Sequence, residues 1–305
     1  MAKILNCVLL TSIIFVTAVA AENSFQLIGG DAVSMELHNQ LFKHHVAVRS
    51  HEQPWWCGGS IINRVQILTA AHCVYNRSHY SIYIRAGSLN TTDGGVVRDV
   101  SNVKVHYAYN NDTFDSDVAV LTLQDPLEFT ESIGPVKLTN SSVTIYEEIG
   151  TMLTICGYGR SEYSIDDSLL RYYELPINDI ELCRKQYEPN DDIITDNMFC
   201  VGNITMKFNT KGDSGGCSLY KDPTTNEWLC VGIVSWAWED SWKPWPQVEV
   251  KVANFYDWII NQTEEVRGLE PKLDFSSILQ WISKIVNNTI KITNQVLAWT
   301  RADPK

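Results

Sequence analysis

From position 46 onward, short apolar or alternating runs recur between turn signals. Val46-Ala47-Val48, Ser60-Ile61-Ile62, Val65 to Thr69, Ile82 to Arg85, Val103-Lys104-Val105 and Val118 to Leu123 form one set. Met152 to Ile155, Leu169 to Ile177, Met198 to Val201, Trp228 to Trp236 and Val248 to Val252 form a second, with Thr130 to Asn140 between the two. Period-two patterning in runs this short marks strands. It predicts an all-β fold of two antiparallel β-barrels, each of about six strands, over roughly 27–135 and 136–250. Ala253 to Gln262 sets Phe255, Trp258, Ile259 and Ile260 at helical spacing, which predicts a helix packed on the second barrel.

A further apolar stripe from Asp274 to Trp299, with Asp274 as its cap, predicts a helical extension over 263–305. Lys284, Asn287, Asn288 and Lys291 interrupt it too often for a bilayer span, so no transmembrane segment is expected there. Docking on the barrel, binding of a protein partner and an interfacial membrane contact remain as its readings.

At the other end, Lys3 precedes an apolar run from Ile4 to Val19 that closes on Ala18-Val19-Ala20, the pattern of a secretory signal over 1–21. Secretion changes the meaning of the cysteines. Eight are present, Cys7 leaves with the signal, and the rest mature in an oxidising pathway, where disulfides precede metal sites as the expectation. There is no CxxC or HExxH, so no metal is expected. Asn76, Asn90, Asn111, Asn140, Asn203, Asn261 and Asn287 begin glycosylation sequons. The 36 acidic residues outnumber the 24 basic ones, for a net charge of -12, which argues against a nucleic-acid partner.

The chemistry is concentrated in three segments: Leu68-Thr69-Ala70-Ala71-His72-Cys73, Asp115-Ser116-Asp117-Val118-Ala119-Val120-Leu121 and Gly212-Asp213-Ser214-Gly215-Gly216. A serine hydroxyl is a poor nucleophile until an imidazole takes its proton, and that imidazole needs a buried carboxylate to fix its tautomer. His72, Asp117 and Ser214 are the residue types that chemistry requires.

With these motifs the chain resembles the chymotrypsin-like serine proteases from Leu27 to about Gln262. Leu27-Ile28-Gly29-Gly30 is similar to the family's mature amino terminus, Trp56-Cys57-Gly58-Gly59-Ser60 to its strand before the histidine, and Gly232-Ile233-Val234-Ser235-Trp236 to its substrate-pairing strand. The resemblance implies a protease domain over 27–262 and a short propeptide over 22–26, acting on protein or peptide substrates without a cofactor. It assigns His72 as base, Asp117 as its orienting carboxylate, Ser214 as nucleophile, and the N–H groups of Gly212 and Ser214 as the oxyanion hole. It implies activation by a cut that frees the Leu27 amino group to pair with Asp213. Gln26 at that cut is not the Arg or Lys usual in the family.

The primary specificity pocket departs from the family. Its floor falls on Phe208, where aspartate would select Arg or Lys, and its walls on Ser235, Trp236, Ala237 and Gln247, the last two replacing glycines. Larger side chains there imply a shortened pocket and non-tryptic, narrow specificity. The resemblance pairs Cys57 with Cys73 and Cys183 with Cys200. A family bridge expected between the positions of Leu153 and Tyr220 is missing, and Cys156 and Cys217 stand three residues inward from each, so a relocated Cys156–Cys217 bridge is expected, leaving Cys230 unpaired. Two functions follow: a secreted serine endopeptidase, or a non-proteolytic homologue that binds or regulates another protein. The intact His, Asp and Ser favour the enzyme.

Overall fold

The strands that carry the site form two packed β units. The computed structural model describes residues 30–52, 56–142, 147–159, 169–202, 212–238 and 245–269, the side chains of 56 and 264–269 excepted. The signal, Leu27, Phe208, Asn203, Asn287 and the 274–299 stripe lie outside the described residues.

The first unit is a closed barrel in the order β2-β3-β4-β7-β6-β5. Its strands are β2 (His45–Ser50), β3 (Trp56–Asn63), β4 (Gln66–Thr69), β5 (Ile82–Ala86), β6 (Val96–Val105) and β7 (Ala119–Leu123). Along β2 the alternation divides two cores: Val46 and Val48 pack inward beside Gly59 and Ile67, whereas the His45 ring turns outward to Tyr158 of the second unit, with centroids 5.2 Å apart. Closure removes every sheet edge in this half.

The second unit is an eight-stranded sheet. Its main path is β1 (Asp31–Ala32), β10 (Arg171–Pro176), β9 (Met152–Gly157), β12 (Cys217–Lys221), β13 (Trp228–Trp236), β14 (Gln247–Lys251) and β11 (Met198–Val201). β8 (Lys137–Leu138) adds to β13 in parallel. An antiparallel bridge between Ile177 and Val201 joins the strands at the two ends of the six-strand core, which therefore curls into the second barrel. Between the strands lie α1 (Met35–Leu37) and α2 (Ile180–Tyr187), the latter capped by the Asp179 carboxylate on the Glu181 and Leu182 N–H groups. α3 (Val252–Leu269) follows β14, burying Phe255 and Ile259 as the spacing predicts and running past Gln262.

Cys217, Leu219 and Ile233 join the cluster that also contains the first barrel's core, while Leu229, Val231 and Val234 fill the second barrel with Leu153, Leu175 and Phe199. β12, unmarked in the hydrophobic pattern, sits at the centre of this sheet between β9 and β13.

Three disulfides join described residues: Cys57–Cys73, Cys183–Cys200 and Cys217–Cys230. The first two are as expected. The expected Cys156–Cys217 bridge is not formed, Cys230 is paired, and Cys156 is the free, buried thiol. The facing argument itself holds, since Ile155 pairs with Ser218 and Thr154 with Leu219, which makes Cys156 and Cys217 the next facing position. A bulge in the other neighbour decides the outcome. Ser218 pairs with Gly232 but Leu219 pairs with Cys230, and this one-residue slip moves Cys230 onto the face that carries Cys217, with Cα atoms 5.5 Å apart. The sequence pattern gave no sign of that bulge.

Candidate active site

His72 lies in a short turn of 3-10 helix, Ala71–Cys73, directly after β4, and the Cys57–Cys73 disulfide ties that turn back to β3. Asp117 precedes β7 in a loop where Phe114 and Ser116 both hold φ of 56°, a conformation rare for residues with a side chain. The two loops meet at Asp117. Its fully buried carboxylate accepts from the His72 backbone N–H at 2.7 Å, lies 2.7 Å from His72 Nδ1, and accepts from the Ser235 hydroxyl at 2.6 Å. Nδ1 is thereby the protonated nitrogen of neutral His72, which leaves Nε2 as the basic one. Burial by itself pulls the His72 pKa down, but the Asp117 charge and hydrogen bond outweigh it and the net shift is upward.

Ser214 comes from the turn between Gly212 and Gly216, which strands of both barrels hold. Gly58 N–H donates to the Ser214 carbonyl at 2.7 Å, Gly215 N–H to the Val234 carbonyl at 2.7 Å, and Val234 N–H to the Gly216 carbonyl at 2.9 Å. The Ser214 hydroxyl points to the Ser235 carbonyl at 3.4 Å, a long contact. Such geometry is usual before substrate tightens the catalytic hydrogen bonds. Gly212 holds φ of 116°, which glycine alone adopts without strain. Asp213 is buried and accepts from Gly159 N–H at 2.8 Å. A Cβ at Gly157 would lie 2.0 Å from its Oδ1, so the carboxyl occupies space that only glycine leaves.

The residues expected to wall the pocket divide into three groups. Ser235 is buried and donates its hydroxyl to Asp117, which joins it to the Asp117–His72 pair. Trp236 packs edge-on against Tyr187, centroids 4.9 Å apart, and faces Phe114 at 6.3 Å; Phe114 in turn sets its ring against His72 at 5.5 Å. Ala237 follows, half-buried. Gln247 is 2% exposed and turns its amide into the second barrel, where Nε2 donates to Glu249 at 2.8 Å and the carbonyl accepts from Tyr173 at 3.4 Å.

Sequence reasoning missed Phe114, Asp115, Tyr173 and Glu249. Asp115 accepts from Thr195 at 2.5 Å and Asn197 at 3.1 Å, tying the loop of Asp117 to the segment before β11. Burial pushes its pKa up, but those hydrogen bonds and Ser116 prevail and hold it below the usual carboxylate range. Its place beside Asp117 was the one available signal. Among the described residues, Cys57, His72 and Cys73 are the one group close enough to hold a metal ion, and both cysteines are in a disulfide, so this donor set does not fit one.

The sequence comparisons agree with this geometry. The family model for trypsin matches residues 28–259. A trypsin of Phaedon cochleariae is 33% identical over 247 residues, covering 79% of this chain and 90% of that protein. The clotting factor G beta subunit of Tachypleus tridentatus is 32% identical over 214 residues, 67% of this chain and 69% of that one. A CLIP domain-containing serine protease, HP8, of Bombyx mori is 27% identical over 267 residues, 80% and 71% of the two chains. With a match of this extent laid over a closed barrel, a second curled sheet and a buried aspartate holding a histidine beside a serine turn, the chain belongs to the trypsin family of serine proteases.

Proposed function

We propose that the protein is a secreted serine endopeptidase that cleaves peptide bonds through an acyl-enzyme on Ser214. The observation that carries this is the buried Asp117 carboxylate, which grips His72 at two points and so fixes which imidazole nitrogen is left basic. In the reaction His72 Nε2 takes the Ser214 hydroxyl proton as Oγ attacks the carbonyl, and returns it to the leaving amine. The oxyanion is held by the N–H groups of Gly212 and Ser214. Water then repeats the attack on the ester, with His72 again as base. Asp117 stays ionised and stabilises the imidazolium that forms in between.

The organisation proposed with it is a signal over 1–21, a propeptide over 22–26, a protease domain over 27–262 and an extension over 263–305 that offers a surface to a protein partner. In that arrangement the Leu27 amino group, once freed, pairs with Asp213. Asn76, Asn111 and Asn261 are exposed and accessible to glycosylation, which fits passage through the secretory route. Specificity is read as non-tryptic, because Phe208 cannot supply the charge that attracts Arg or Lys. Phe114 and Trp236 add an aromatic wall beside His72, suited to an apolar side chain on the acyl side of the scissile bond.

The test is labelling of the secreted protein with a fluorophosphonate, beside Ser214→Ala, with amino-terminal sequencing of the same sample and a peptide-library digest. The expected result is labelling that requires Ser214 and cleavage after uncharged residues. Absence of labelling in a chain that begins at Leu27 would transfer the protein to the non-proteolytic reading, and efficient cleavage after Arg or Lys would overturn the pocket assignment.

A further inference from the structure

One acidic side chain inside the second barrel has no matching cation among the described residues. Glu249 on β14 is fully buried. Its Oε1 accepts the Gln247 amide at 2.8 Å, and its Oε2 has no hydrogen-bond partner among the described residues. That oxygen is pressed into the strand beside it: a Cβ at Gly232 would lie 2.2 Å from Oε2 and 2.7 Å from the Phe199 ring. The Ser218 hydroxyl lies near enough to favour the charged form, yet its geometry leaves Ser218 Oγ and Glu249 Oε2 without a complete hydrogen bond. Beyond Gln247, the Tyr173 hydroxyl is next, and Tyr173 is within electrostatic range of Asp213 and Cys156. Lys251, two residues on along β14, turns to Glu147 at 3.9 Å. Among the described residues, the facing groups are therefore acids, a phenol, a thiol, a hydroxyl and an amide.

Buried carboxyls without a cation are costly and call for a reason. The position suggests one. Glu249 pairs across the sheet with Val234, whose N–H and carbonyl are bonded to Gly216 and Gly215 directly after Ser214. Two residues further along β13 is Trp236, and the group that Glu249 holds is Gln247, the pocket-wall residue of the proposed protease.

We propose that Glu249 is a specificity-determining residue: through the Gln247 amide it places an acidic group behind the specificity pocket, and in its ionised form it tilts recognition toward a positively charged side chain. This rests on the protease reading of the Gln247 wall and deepens it. Because the sequence carries phenylalanine and not aspartate at position 208, where the family resemblance sets the floor, the effect is a tilt between side chains of equal length rather than selectivity for Lys or Arg. Burial raises the Glu249 pKa to about 7, so the tilt grows as pH rises through that region.

The experiment measures binding, by titration calorimetry, of two peptides that differ only in lysine or norleucine before the scissile position, to the mature Ser214→Ala protein at about pH 6 and about pH 8.5. Lysine keeps its charge over this range, and His72, which loses its own charge over the same range, does so with Glu249 present or replaced, so the comparison with Glu249→Gln removes its contribution. The lysine-to-norleucine affinity ratio is expected to rise with pH about threefold more in Ser214→Ala than in Ser214→Ala with Glu249→Gln, as a new charge behind the wall requires, and an equal rise in the two folded proteins overturns the proposal. A flat ratio in the Ser214→Ala protein, or undetectable binding of both peptides, overturns the proposal, and neither result depends on whether the second variant folds. Failure of the unsubstituted chain to cleave peptides is a separate result that counts against proteolysis, since the binding ratio requires no turnover.

Discussion

At the scale of single residues, electrostatics divides the buried titratable groups into those that serve the reaction and those that tax the fold. In the proposed reaction His72 acts as base only when neutral, and its raised pKa is then expected to place the acid limb of activity above the ordinary histidine value of about 6.5. The kcat/KM profile is expected to fall with a single proton as pH drops through that limb. Asp117→Asn should cost on the order of 10^4-fold in kcat by presenting the wrong tautomer, and steady-state kinetics checks both. Glu249 behaves differently. Folded, it keeps its proton up to about pH 7; unfolded, it loses it near 4.5, so stability present below 4.5 is lost as pH rises through 7. The loss is on the order of 3 kcal/mol, and urea unfolding of Glu249→Gln should show it recovered at pH 8 but not at pH 4. His44 has the opposite sign. Burial and then the neighbouring His38 lower its pKa to about 3, so stability present above about 6.5 is lost as pH falls toward 3. His44→Gln should flatten the acid side of the same unfolding curve.

At the scale of elements, a single bulge between β12 and β13 decides the disulfide pattern. Ser218 and Leu219 are consecutive on β12, yet their partners Gly232 and Cys230 are two apart on β13, so the parity of every side chain beyond the slip changes. Alkylation of the denatured, unreduced mature protein should therefore modify Cys156 and no other cysteine, read by peptide mass mapping; modification of Cys230 would contradict the bulge. Helices show the reverse relation. Asp179 at the start of α2 and the apolar spacing of α3 are local signals, and both elements form as those signals direct.

At the scale of the molecule, the site exists because two barrels meet. His72 and Asp117 hang from the first, Ser214 and Ser235 from the second, and the Asp117 carboxylate is the point where Ser235 crosses to it. Asp115 is a second strut, reaching Thr195 and Asn197, and Tyr158 is a third, donating its hydroxyl to the Ser88 carbonyl at 2.8 Å. Asp115→Ala removes the acceptor of two half-buried donors and is expected to cost about 1 kcal/mol of stability in chemical denaturation. The loss should be accompanied by a fall in kcat, since the same loop carries Asp117.

What the sequence alone determined is what local pattern and motif can hold. Alternation along Val46 to Val48 or Val118 to Leu123 requires one buried face in any fold, and His72, Asp117 and Ser214 carry their chemistry in their side chains wherever they are placed. Cys57–Cys73 and Cys183–Cys200 followed from the family resemblance because their surroundings keep its register. Only the tertiary structure decided which way Cys217 bonds, that Gln247 turns inward to Glu249 and Tyr173, and that Phe114 lies against His72. These are contacts between residues far apart in the chain. They depend on a bulge, on strand parity and on a loop held at positive φ, and none of these has a signature in the hydrophobic pattern of the segment that carries it.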